Sequence, residues 1–201
     1  NSGFYGIDMQ NVDLDVRSVT IRRFSDRGMR LRNTSTNENL VVHLIHCTVQ
    51  QNGADGANFF GPFDVRVDAC AFDGNVQEGI EFGPLVALAG LTSSASITHS
   101  RFANNGAEGV DLSLDRPLGV TAGTGNFAVS VRGCTFTGNA LDGLIVDQEH
   151  EAAPGWSMRA IVRDCTATNN ALAGVHVDFD AQGQVVLHGI RATGNGTDGI
   201  L

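Results

Sequence analysis

Residues 129–147 read VSVRGCTFTGNALDGLIVD. Three short bursts of alternating apolar residues sit in this stretch: Val129 and Val131, Cys134 and Phe136, Leu144 and Val146. Alternation with period two marks a β-strand with one buried face. The first two bursts are separated by the two-residue bend Arg132-Gly133, and the last two by the turn from Asn139 to Gly143. The stretch therefore predicts three strands and two tight corners, with no helix between them.

The same sentence is written elsewhere in the chain. Asn-x-x-x-Gly followed by an apolar residue recurs at Asn52, Asn75, Asn105, Asn139, Asn170 and Asn195, at intervals of 23, 30, 34, 31 and 25 residues. A degenerate copy precedes them (Val16, Val19, Ile21, Gly28, Met29, Leu31), and Gly6, Ile7 and Met9 form half of another. Aligned on the asparagine, the inward slots are apolar in nearly every copy: Val42 and Leu44, Val65 and Val67, Ala95 and Ile97 on the first strand; Val49, Phe72 and Phe102 on the second; Phe59, Phe82 and Leu112 on the third. A propeller blade needs four antiparallel strands, and a leucine-rich repeat needs its own leucine consensus. The prediction is an all-β, right-handed parallel β-helix, a three-sheet solenoid of about seven coils stacked about 4.8 Å apart. Length variation falls after the third strand, in residues 83–94, 115–127 and 147–158.

In such a stack, equivalent residues form columns. The asparagines predict a ladder of side-chain amides, and the repeat glycines a conformation that a Cβ would block. Cys47, Cys70, Cys134 and Cys165 share one inward slot; they read as buried free thiols, since a line along an axis is not a zinc cluster. Asp55, Glu78, Glu108, Asp142 and Asp198 each stand one residue before a repeat glycine. Such a row either splays into water or takes up a cation, unless it is ordinary Asp-Gly turn chemistry.

The outward columns of the third strand carry the candidate chemistry. One reads Asp8, Arg30, Asn58, Glu81, Asp111, Ile145, His176, the other Gln10, Arg32, Phe60, Gly83, Ser113, Asp147, Asp178. Asp111, Asp147 and Asp178 offer hard oxygen ligands suited to Ca²⁺, and His176 offers an imidazole able to exchange protons. Arg30 and Arg32 can clamp a carboxylate bidentately, with Glu81, Asp147 and Asp178 as further substrate contacts.

Composition narrows the partners. Thirteen basic residues, all arginine, stand against 22 acidic ones for a net charge of −9, which disfavours nucleic acid. No apolar run is long enough to span a membrane. Only Trp156 and Tyr5 offer amphipathic sugar platforms.

The repeat resembles that of pectate lyases, polygalacturonases and alginate C5-epimerases over essentially the whole chain. In those families the strand after the asparagine turn carries the active-site groove. Tyr5-Gly6-Ile7-Asp8 resembles the start of the epimerase Tyr-Gly-Phe-Asp-Pro-His-Glu motif, which implies catalytic roles for Tyr5 and Asp8. Met9, Gln10 and Asn11 replace its proline, histidine and glutamate, and the Gly-His-Gly signature of polygalacturonases is absent. The resemblance implies a secreted or cell-surface bacterial protein that binds or acts on an acidic polysaccharide, with Asp8 and Tyr5 as catalytic candidates, to which the outward columns themselves add His176 and Asp111. The alternative is a structural role as a stalk, adhesin segment or filament subunit. Residues 1–201 form one domain, opening and closing inside third-strand segments, so the expectation is a fragment of a longer solenoid or a subunit associating through its ends.

Overall fold

The computed structural model describes residues 3–35, 37–83, 92–113, 126–148, 157–179 and 183–201. They form a right-handed parallel β-helix built of three seven-stranded sheets, and no helix occurs among them. Sheet 1 runs from Leu14–Arg17 to Gly183–His188, and sheet 2 from Thr20–Arg22 to Arg191–Thr193. Sheet 3 comprises Ile7–Gln10, Met29–Arg32, Ala57–Phe60, Ile80–Phe82, Val110–Ser113, Leu144–Gln148 and Val175–Phe179. Each strand pairs in parallel with its counterpart one coil away, and the register is the one the repeat dictates: Val65 faces Val42 and Ala95, and Phe102 faces Phe72 and Phe136. Trp156 and most of the three long loops lie outside the described residues.

The core is a set of columns. Phe72, Phe102 and Phe136 stack with centroids 5.2 and 5.4 Å apart and planes within 12° of parallel. Beside them runs the asparagine ladder. Each internal asparagine accepts two hydrogen bonds at Oδ1, from the backbone N–H and from Nδ2 of the preceding one, as Asn105 does from Asn75 at 3.2 and 3.1 Å. Its own Nδ2 donates onward to the next Oδ1 and back to a backbone carbonyl, here Asn139 and Phe72. The turn thus buries its amides without orphaning them.

The repeat glycines leave no room for a Cβ, as the sequence suggests, and the block comes from crowding between coils. None has a left-handed φ. A Cβ at Gly56, Gly79, Gly109 or Gly143 would lie 2.4 Å from the carbonyl oxygen of the next coil's glycine, so the coils stack too closely there for any side chain. Left-handed backbone occurs instead at the corners, and other residues often adopt it: His46, Ala69, His99 and Asp164 after sheet 1, and Gln51, Asn104 and Asn169 before the ladder asparagine. The cysteines are free and buried, and burial pushes the Cys70 thiol up to about 11. Cys70 Sγ and Ser100 Oγ play one part in successive coils, each accepting the backbone N–H of the residue one coil before.

Candidate functional site

The outer face of sheet 3 brings together the two columns read from the sequence. Register pairs run Asp8–Arg30, Arg30–Asn58, Asn58–Glu81, Glu81–Asp111, Asp111–Ile145 and Ile145–His176 in one, and Ser113–Asp147–Asp178 in the other. Most of these side chains are half-buried, and Asp178 is exposed.

At one end of the face, Arg30 grips Asp8 with two hydrogen bonds of 3.1 and 2.6 Å. It also donates to the Tyr5 hydroxyl at 2.6 Å, its guanidinium carbon 3.9 Å from the ring centroid. Arg32 reaches Asp8 at 3.6 Å, while its Nε is buried without a partner. The hydrogen bond from Arg30 holds the Asp8 carboxyl below its ordinary pKa. A carboxylate so stabilised is a poor proton acceptor.

The acidic residues sort differently from their sequence grouping. Asp147 and Asp178 are side by side, and Asp111 accepts a hydrogen bond from Ser113. Ile145 stands between Asp111 and His176 in the register. His176 turns instead to the turn row: its Nδ1 is 3.2 Å from Asp142 Oδ2. Asp142 is buried, and its other oxygen accepts the Ala173 N–H at 2.6 Å. Because a carboxylate only accepts, Nδ1 donates to Asp142, and in the neutral imidazole Nε2 is then the acceptor.

Midway along the face, carboxylate oxygens of Asp55, Glu78 and Glu81 lie within 4.8 Å of one another. Asp55 is 1% exposed and does not splay into water; Arg27 Nε approaches its Oδ2 at 2.7 Å. Asn58 Nδ2 donates to Asp55 Oδ2 at 3.1 Å and to Glu81. Burial, reinforced by Asp55, pushes the Glu78 carboxyl up to about 8 and the Glu81 carboxyl to about 7. Burial also raises Glu108, with the Asp142 charge adding to it.

Sequence reasoning read the turn row and the strand columns separately and so missed their contact. The residue before a repeat glycine touches the residue two after it, as Asp55 touches Asn58, and reaches that position one coil on, as Asp142 reaches His176. The signal was the i, i+3 pairing of polar residues about the glycine: Arg27 and Arg30, Asp55 and Asn58, Glu78 and Glu81.

Raised carboxyl pKa values make a pH prediction for the metal-free protein. The folded chain holds protons that the unfolded chain releases above the ordinary value of 4.5, so this stability is full below pH 4.5 and lost as pH rises through about 8. The melting temperature is expected to fall across that window. Glu78→Gln should flatten the fall; an unchanged slope in that variant would refute the assignment.

No protein-family model matches the sequence, and no curated protein matches it. Among solved structures, a mutant of the periplasmic alginate epimerase AlgG superposes with a TM-score of 0.64 at 11% identity, over 92% of this chain and 42% of that one. The chain thus spans less than half the length of that protein, and likeness at this identity establishes the shared fold.

Proposed function

We propose that the chain binds an acidic polysaccharide along the outer face of sheet 3, and that His176 moves a proton on the bound sugar. The carrying observation is where burial of charge occurs. Among the described residues, Asp55 and Asp142 are the fully buried ionic side chains, and both stand behind this face. Burying a carboxylate is unfavourable, and such groups concentrate where chemistry needs them. The solenoid shared with an alginate epimerase supports the substrate class, since alginate is a polymer of uronates. That neighbour is periplasmic, in keeping with a secreted or surface location, and no helix among the described residues is long and apolar enough to cross a membrane.

Each group has a role. Asp142 fixes the imidazole with Nε2 as the acceptor, so neutral His176 can take a proton from an acidic carbon and return it. Arg32, 39% exposed and meeting Asp8 only at 3.6 Å, is the cation more available to a uronate carboxylate; Arg30 is committed to Asp8 and Tyr5. Asp8 then acts as the counter-ion of the arginine pair and not as a base. Asp111, Asp147 and Asp178 line the face as polar contacts to sugar hydroxyls.

The test is binding and proton exchange with alginate, pectate and other uronans. Wild type is expected to bind at least one of them and to exchange a ring proton with solvent deuterium. His176→Ala should lower exchange about a hundredfold with binding kept, and Asp142→Asn should shift its pH profile. Arg32→Ala should weaken binding about tenfold, more at low salt. Silence of wild type toward every uronan, with the fold intact, would overturn this reading in favour of a structural module.

A further inference from the structure

We propose that Asp55, Asn58, Glu78 and Glu81 form a buried site for one hard divalent cation of the Ca²⁺ class, which staples two adjacent coils together. Crowded carboxylates alone would not carry this, since acidic clusters are common on protein surfaces. The second observation is a pair of orphaned acceptors inside the cluster. Asp55 is 1% exposed and Asn58 is fully buried, and Oδ1 of each has no hydrogen-bond partner. Both side chains already engage the cluster through their other polar atoms, Asn58 Nδ2 donating to Asp55 Oδ2 and to Glu81. Buried acceptors are rarely left unsatisfied. Two buried acceptors without a donor, beside the carboxylates of Glu78 and Glu81, make an environment that a cation completes.

Charge and donor type narrow the ion. Three carboxylates less the Arg27 guanidinium on Asp55 leave two negative charges, the complement of a divalent cation. The donors are all oxygens, with no histidine or cysteine in the group, which disfavours zinc. Ca²⁺ accepts several carboxylate and amide oxygens in irregular geometry, whereas Mg²⁺ keeps most of its water and uses one or two carboxylates. Asp55 and Glu78 come from successive turns, Asn58 and Glu81 from the strands that follow them. An ion held by all four replaces repulsion between coils with a cross-link. This role is independent of any polysaccharide, so the two readings fail separately.

The rival explanation is that protons alone relieve the crowding. Calorimetry and thermal unfolding of the chelator-stripped 201-residue chain with CaCl₂ or MgCl₂ at matched ionic strength separate the two. The expected result is one Ca²⁺ per chain and a melting temperature raised by about 5–10 °C at a hundredfold excess over Kd, with a smaller rise for Mg²⁺. Glu78→Gln with Glu81→Gln should abolish both responses. Asn58→Ala keeps every charge and should weaken Ca²⁺ binding about tenfold. Asp147→Asn with Asp178→Asn should leave the response intact. No saturable heat and no thermal shift in wild type would overturn the site in favour of the shared proton. An undiminished response in the double glutamine variant, or in Asn58→Ala, would overturn it by placing the ion elsewhere.

Discussion

Asn105→Ala is expected to cost about 3–5 kcal/mol of folding stability, read as a lowered urea midpoint. The side chain is 1% exposed and takes part in four hydrogen bonds that alanine cannot make. The Asn75 N–H loses its acceptor outright, and the Phe72 carbonyl and Asn139 Oδ1 each lose a donor. Neutral buried hydrogen bonds contribute about 1 kcal/mol each, and an orphaned donor adds its own penalty. A residue on the outer face of sheet 2 gives the contrast: Thr135→Ala should stay within about 0.5 kcal/mol. A loss below about 1 kcal/mol for Asn105→Ala would show that the ladder decorates the turn and does not hold it.

Phe102→Ala should be comparably damaging, at about 3–5 kcal/mol. Its ring is fully buried and sandwiched between Phe72 and Phe136 at 5.2 and 5.4 Å. Removing it breaks the stack in the middle, and the backbone cannot close the gap, because parallel hydrogen bonds to both neighbouring strands fix the coil spacing. Phe102→Leu fills most of the volume and should cost about 1–2 kcal/mol. Equal effects of the two substitutions would mean that the column collapses around the site, contrary to the rigid stacking described above.

The fold was legible because its signal is repetition. Six asparagine–glycine turns at a constant internal spacing fix which residues share a column, and Val65 facing both Val42 and Ala95 follows from counting alone. The outward columns on sheet 3 were legible for the same reason. Contacts that cross from one column to another were not. His176 next to Asp142, and Asp55 next to Glu81, depend on how sharply the chain bends at the glycine, which periodicity does not encode. What blocks a Cβ at that glycine was not legible on the same ground, since the close approach of Gly109 to Gly143 belongs to two coils at once.

Every ladder in the molecule joins a residue only to its equivalents in the coils immediately before and after it. Register is therefore renewed once per turn of the helix. An entire period such as residues 105–138 could be excised, bringing Asn139 against Asn75, without altering the rules by which its neighbours pair. Duplication or loss of whole coils is then a small step for such a gene, and the span of the binding face can drift by one rung at a time while the architecture persists.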